Sequence, residues 1–416
     1  MIEFVYQIAI SLFASLIKFV APFNAKIKQT VDGRKGLIEE LERSFPALAA
    51  GRPVAWFHAA SLGEFEQGRP VIEAYKNQYP EHFILVTFFS PSGYEVRKNY
   101  NGADYICYLP FDTASNARRF VAAVQPSTAF FIKYEFWNNY LRELKKNGSH
   151  ILSFSSIFRE EQIFFKSYGG FFRDMLRYFD HIFVQNEKSV ALLKGVGIKA
   201  TVAGDTRFDR VKSIAANARD LPVIAGFRRE KLCLIAGSVW EEDMQVLFPV
   251  LNGFQGKFKA IIAPHEIKKE QIRGWREKLK GIVILFSEIG ERNIENADYL
   301  IIDNVGMLSS LYKYGDMAYI GGSFGVGLHN ILEAATFGLP VLFGNKSYHR
   351  FQEAIDLISL GGAFPVADAA ATSAIIEKWL QNAVARTDAG NVSREYVETG
   401  TGATEMIMRK VQELAD

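Results

Sequence analysis

Two short runs gather residue types that do chemistry. In Trp56-Phe-His-Ala-Ala-Ser-Leu-Gly-Glu64 a β-rich run ends in a turn, Ser61-Leu-Gly-Glu64, that presents one carboxylate. Gly63 permits a sharp turn. Glu64 then falls near the start of the next helix, where helix-end amides and dipole favour its ionised form. That suits a general base taking a proton from an attacking hydroxyl, a step worth about 10²–10⁴-fold. The same placement also suits a plain capping carboxylate. Far downstream, Met317–Ile320 runs into Gly321-Gly-Ser-Phe-Gly-Val-Gly327, which contains Ser323. The pattern predicts a helix opening at His329, with Asn330, Ile331, Leu332 and Glu333 in its first turn. Glycines let a backbone approach a ligand, and free amides at a helix start favour a phosphate. Glu333 stands where it can accept hydrogen bonds from ribose hydroxyls. A nucleotide pocket in one half and a carboxylate in the other suggest transfer of a group from a nucleotide donor.

Weaker clusters follow other strand-like runs. Lys133-Tyr-Glu-Phe-Trp-Asn-Asn139 puts Glu135 at a strand's carboxyl end, as a site residue or as a cap for the next helix. Ser90-Pro-Ser-Gly93 offers hydroxyls and amides from Ser90, Ser92 and Gly93, or is an ordinary turn. In Gly204-Asp-Thr-Arg-Phe-Asp209, Arg207 can neutralise a departing phosphate or form a surface ion pair. Ala263-Pro-His-Glu266 ends a strand at Pro264 and His265, and Asp303-Asn-Val-Gly-Met307 repeats the strand, glycine turn, helix pattern. There is no HExxH motif and no cysteine pair, so no metal or other cofactor is expected.

These residues need a frame. With 416 residues the chain is long for one core, and two domains are expected. From Val54, β-rich runs alternate with helical stretches, the pattern of parallel α/β sheets. Gly204–Phe227 reads as a linker, broken by Asp205, Thr206, Asp220, Pro222 and Gly226. The division expected is 1–35 for an N-terminal membrane-associating segment, 36–205 for an acceptor-binding α/β domain, 206–226 for the linker and 227–416 for a nucleotide-binding α/β domain. A last long helix, about Ser393–Leu414, is expected to be able to cross back onto the first domain. Cys107 and Cys233 lie in apolar runs and read as buried free thiols. The net charge of +2 gives no footprint for nucleic acid.

The N-terminus is apolar from Phe4 to Phe23, barely long enough to span a bilayer, with no signal-peptidase-like site. Gln7, Ser11, Ser15 and Lys18 recur on one helical face. The pattern favours a helix lying in the membrane interface with that polar face on protein; a spanning helix and a buried domain helix are the alternatives. Lys26, Lys28, Arg34 and Lys35 then face the anionic cytoplasmic surface.

Taken together, His58–Glu64, Thr87–Gly93, Tyr108–Asp112, Glu135–Asn139, Gly204–Asp209 and Gly321–Glu333 resemble, in order and spacing, the 3-deoxy-D-manno-octulosonic acid (Kdo) transferases. The resemblance covers nearly the whole chain. It implies a GT-B fold, two Rossmann-like doubly wound α/β domains facing across a cleft. It implies an inverting enzyme that moves Kdo from CMP-Kdo to a lipid A precursor (lipid IVA) in lipopolysaccharide synthesis, at the cytoplasmic side of the inner membrane. By resemblance Glu64 is the proton acceptor, and Glu135 and Arg207 stabilise the transition state. Pro264 with His265, Val305-Gly306-Met307, and Asn330 through Glu333 match the segments that contact CMP. Lys133, His265, Met307 and Arg207 stand where the family usually has an acid, an arginine, a glutamate and a lysine. A glycosyltransferase using a UDP-sugar and a lipid-linked acceptor, and an inactive sugar-nucleotide binding protein, are the alternatives.

Overall fold

Buried parallel strands read as continuous apolar runs, because helices cover both faces of the sheet. Val54–Ala59 and Phe83–Phe88 are such runs, and every residue in both is buried. The computed structural model describes residues 2–290 and 293–415. It contains two sheets of seven strands, with every pairing parallel.

The first sheet comprises β1 (Val54–Ala59), β2 (Phe83–Phe88), β3 (Tyr105–Tyr108), β4 (Pro126–Ile132), β5 (His150–Ser156), β6 (His181–Val184) and β7 (Thr201–Val202). Its order is β3-β2-β1-β4-β5-β6-β7. The second comprises β8 (Cys233–Val239), β9 (Lys259–Pro264), β10 (Val283–Leu285), β11 (Tyr299–Ile301), β12 (Met317–Ile320), β13 (Val341–Gly344) and β14 (Ala363–Val366). Its order is β10-β11-β9-β8-β12-β13-β14. Strand order therefore reverses between β1 and β4 in one sheet and between β8 and β12 in the other. Ligands of doubly wound folds bind beyond the strand carboxyl ends at such reversals.

Side chains alternate along each strand, so β1 feeds two cores. Val54 and Trp56 join one cluster, with Phe131, Tyr140 and Phe120; Ala55, Phe57 and Ala59 join the other, with Phe130 and Ile132. Both cysteines are buried free thiols, and burial raises each to about 12.

Residues Met1–Arg210 with Thr401–Asp416 form one compact unit, and Val211–Gly400 the other. The stretch read as a linker is largely helical, with helices Thr206–Ala216 and Pro222–Arg228. The long helix expected over Ser393–Leu414 is two helices, Ala383–Thr399 and Ala403–Ala415, parted at Gly402, whose φ of +112° a side chain would resist. Ile407, Met408 and Val411 of the second pack into the core of the first unit.

The N-terminal segment forms a helix, Ile2–Val20, running on through Ala21–Phe23. It is docked by Tyr6, whose hydroxyl donates to Asp112 at 2.6 Å, and by Gln7, whose amide pairs with the Asn139 amide. Of the expected polar face only Gln7 meets the protein, and Lys18 is exposed. Ser11 and Ser15 are exposed, and their hydroxyls donate to the carbonyls of Gln7 and Ser11 within the helix. Ala14 is buried instead, with Ile10 and Ile17 half-buried on the same face. Phe4, Val5, Leu12, Leu16, Phe19 and Phe23 are exposed, a large apolar surface for a soluble protein. Arg34 departs from its expected place on a basic surface. It turns inward, donating to the carbonyls of Thr30, Phe89 and Leu109, with its guanidinium over the rings of Phe89, Tyr108 and Phe111. Lys26, Lys28 and Lys35 stay exposed.

Candidate functional site

The first cluster gathers beyond β1 and β4, at the reversal of the N-terminal sheet. Ser61 caps the helix Leu62–Gln78, its hydroxyl accepting from the Glu64 amide. Glu64 therefore lies in the first turn, and its carboxylate reaches back to accept from the Ala60 amide at 2.6 Å. Gly63 makes no left-handed turn. It is an ordinary helical residue with open space where a side chain would stand.

The Glu64 carboxyl is not held in its ionised form as the helix end alone predicts. Burial and the nearby Glu135 charge push it up to about 7, against the opposing effects of the Ala60 amide, Lys133 and the Ser61 amide. Loss of solvation outweighs the helix terminus. A carboxylate poised near neutrality is a capable base, and such displaced values concentrate at functional sites.

Glu135 is 9% exposed. It does not cap the following helix, Asn138–Asn147, whose N-cap position is Trp137. Instead its Oε2 accepts from the Trp137 indole at 2.7 Å and lies 3.2 Å from His58 Nε2. Trp137 is fixed in turn by stacking on Phe89, with ring centroids 5.2 Å apart. Lys133 leaves β4 with φ of +69°, an uncommon backbone state for a side-chain-bearing residue. Its amide donates to Phe154 and its carbonyl accepts from Ser156, which hold the turn.

The loop after β2 borders this cluster. The Ser90 amide donates to Ala60, and the Ser90 and Ser92 hydroxyls share a hydrogen bond of 2.8 Å. Gly93 is a packing glycine: a Cβ there would stand 2.2 Å from the Phe88 ring. Arg207 opens the helix Thr206–Ala216 and bonds buried Asp205 through Nε at 2.9 Å. Asp205 also accepts from Gln67 on the Glu64 helix.

The second cluster lies beyond β8, β9 and β12, at the reversal of the C-terminal sheet. His265 follows Pro264 at the end of β9 and is sandwiched between Trp240, after β8, and His329. Both ring separations are 4.4 Å, with interplanar angles of 24° and 21°. The Trp240 indole donates to His329 Nε2 at 3.1 Å. Burial, then the neighbouring His265, lowers His329 to about 4, so this imidazole is neutral at physiological pH.

The glycine loop differs from its expected form. The Gly322, Gly325, Gly327 and His329 amides are taken by Asp243, Gly322, Gly322 and Gly321 respectively. Gly322 and Gly327 have φ of +94° and +133°, and a Cβ on Gly322 would meet the Gly327 carbonyl. These glycines close a tight turn; their amides are not an open phosphate cradle. The helix opens later than predicted, at Leu332, because the Asn330 side chain accepts from the Leu332 amide. Asn330 also donates to Glu333 at 3.3 Å. Ile331 and Leu332 are fully buried and serve packing. Ser323 is buried, and its hydroxyl has no hydrogen-bond partner among the described residues. Gly306, with φ of +87°, lies between exposed Val305 and half-buried Met307, which precedes the helix Leu308–Leu311.

Residues 30–210, which contain the whole first cluster up to Arg207, match the sequence profile of the 3-deoxy-D-manno-octulosonic-acid transferase (kdotransferase) N-terminal region. The chain is 28% identical over 337 residues to the 3-deoxy-D-manno-octulosonic acid transferase of Chlamydophila psittaci, covering 76% of this chain and 75% of that protein. It is 26% identical over 333 residues to the enzyme of that name from Aquifex aeolicus, covering 78% and 86%. The chain is thus similar to Kdo transferases over about three quarters of its length. Solved structures agree on the fold. UDP-GlcNAc 2-epimerase from Neisseria meningitidis superposes with a TM-score of 0.62 at 12% identity, over 87% of this chain and all of that one. MurG of Acinetobacter baumannii gives 0.55 at 11%, over 87% and 99%. The fold is α/β of GT-B type.

Sequence patterns found Glu64 and Glu135 but not what surrounds them. His58, Thr87 and Trp137 are strand or loop residues whose polar atoms meet only after β1, β2 and β4 pair. Trp240 was likewise missed. A tryptophan directly after a strand and before the acidic run Glu241-Glu242-Asp243 was the available signal.

Proposed function

We propose that this chain is an inverting glycosyltransferase that moves Kdo from CMP-Kdo to a hydroxyl of a lipid A precursor. Glu64 takes the proton of the acceptor hydroxyl as its oxygen bonds to the anomeric carbon. The bond from that carbon to the CMP phosphate breaks with inversion, and CMP leaves with the electron pair. The observation that carries this reading is the Glu64–Glu135 pair: two carboxylates beyond adjacent strands at the sheet reversal, one poised near neutrality. Similarity to proteins named Kdo transferases supports Kdo as the sugar transferred.

Open space above Gly63, next to the base, suits an acceptor sugar. Lys133 and Arg207 are the cations of this unit suited to the charge that develops on transfer. In the C-terminal unit, the flat Trp240–His265–His329 stack and Glu333 suit the CMP moiety. The exposed apolar face of the N-terminal helix suits the cytoplasmic leaflet of the inner membrane, where a lipid acceptor resides. The helix is also long and apolar enough to cross a membrane, but its docking through Tyr6 and Gln7 supports a helix lying on the surface.

The test is transfer by purified protein in detergent, with CMP-Kdo generated in situ and lipid IVA as acceptor, read by mass spectrometry. A product heavier by one or more Kdo units is expected. Calorimetry with CMP and UDP separates this reading from a UDP-sugar enzyme, and UDP binding more tightly than CMP would overturn the donor assignment.

A further inference from the structure

Three buried polar side chains, Trp56, Thr87 and His58, form a chain behind Glu135. His58 lies on β1 directly opposite Thr87 on β2 and Phe131 on β4. Its side chain is fully buried, as are Trp56 and Thr87. The Trp56 indole donates to Thr87 Oγ1 at 2.8 Å. Thr87 Oγ1 lies 2.8 Å from His58 Nδ1. His58 Nε2 lies 3.2 Å from Glu135 Oε2, which also accepts from Trp137.

Counting protons along this chain fixes the imidazole. An indole nitrogen only donates, and a threonine hydroxyl has one proton to give. With Trp56 donating to it, Thr87 gives that proton to His58 Nδ1, so Nδ1 carries the lone pair. The ring proton of a neutral imidazole then sits on Nε2 and points at Glu135. The other tautomer would let Nδ1 donate to the Thr87 carbonyl at 3.2 Å. It would also strand the Thr87 proton and set the Nε2 lone pair against a carboxylate.

We propose that His58 is a positioning residue for the transfer reaction, held as the Nε2–H tautomer by Trp56 and Thr87 so that its one ring proton fixes the Glu135 carboxylate. Two donors then hold Oε2, while Oε1 receives no hydrogen bond from the described residues. Oε1 is left for substrate, and the Glu135 charge acts on the neighbouring Glu64. This inference rests on reading Glu64 and Glu135 as the reacting centre.

The full-length protein, labelled with ¹⁵N-histidine in detergent, tests the tautomer directly by long-range ¹H–¹⁵N correlation. His58→Gln identifies the His58 signals among the seven histidines. A pyridine-like Nδ1 and a pyrrole-like Nε2 are expected, and Thr87→Val should abolish that pattern. In the transfer assay, His58→Phe and Thr87→Val should lower kcat by about 10- to 100-fold, the scale of a hydrogen bond to a charged group. KM for CMP-Kdo should stay within a few-fold. His58→Gln, whose amide can donate from the Nε2 position, should recover most of the loss. A protonated Nδ1, or a His58→Gln protein no better than His58→Phe, would overturn the proposal. Thr87→Val preserves side-chain shape and keeps the test available if His58→Phe does not fold. Absence of transfer by the wild-type protein would overturn the functional reading, while the tautomer would still be decided by its spectrum.

Discussion

Glu64 and Glu135 sit beyond neighbouring strands at the reversal of the N-terminal sheet, and the charge of one helps hold the other near neutrality. Burial is the larger cause and the Glu135 charge the second. A base displaced in this way has a stated pH dependence. Glu64 acts ionised, so the transfer rate should fall as pH drops through about 7 and level off above it. Glu135→Gln removes a repelling charge and should move that limb to lower pH, whatever it does to the maximum rate. A pH–rate profile of wild type and variant checks both.

The same displacement predicts a gain in stability on removing the base. Glu64 has a folded value raised to about 7, above the usual carboxyl value of 4.5. Its contribution is therefore complete below the unfolded value and is lost as pH rises through about 7. Glu64→Gln should raise the melting temperature at pH 8, equivalent to roughly 1–3 kcal/mol, and the gain should vanish toward pH 4. Thermal unfolding at the two pH values reads it.

Two glycines of the N-terminal site should separate packing from function. Gly93→Ala places a methyl against the Phe88 ring and should cost about 1–3 kcal/mol. Gly63→Ala meets nothing and lies in a helix, so stability should hold or rise by up to about 1 kcal/mol. Transfer should nevertheless fall if the acceptor occupies that space. Denaturant melts and turnover on both variants distinguish these effects.

In the C-terminal unit, His329→Ala removes one plate of the stack with Trp240 and His265. CMP affinity should weaken by about tenfold, the lower range for base–aromatic stacking. Glu333→Ala should weaken it as well. Calorimetry measures both, and unchanged affinity would remove these residues from the nucleotide site.

The N-terminal helix predicts membrane attachment without spanning. Leu12→Glu with Phe19→Glu should abolish sedimentation with anionic vesicles, since both side chains are exposed on the apolar face. Turnover on a detergent-solubilised acceptor should persist, because neither residue belongs to the catalytic cluster.

Much of this architecture was legible in the chain. Buried strands such as Phe83–Phe88 and Met317–Ile320 announce themselves as apolar runs, whereas β7 has two residues and β14 carries Pro365. Glu64 and Glu135 were legible because each follows a strand. The direction in which Glu64 is displaced was not, since it depends on burial and on a charge 71 positions away in the sequence. Arg34 reads as a surface charge until three backbone carbonyls and three rings enclose it. The helix start near His329 was misplaced because the Asn330 side chain takes up the Leu332 amide.

The most direct test is a single-turnover comparison of wild type and Glu64→Gln with CMP-Kdo and lipid IVA, alongside CMP calorimetry on both. Kdo-bearing product from wild type, a loss of about 10²–10⁴-fold in the variant and nearly equal CMP affinity are expected. Product formed by Glu64→Gln at a near wild-type rate would contradict Glu64 as the base.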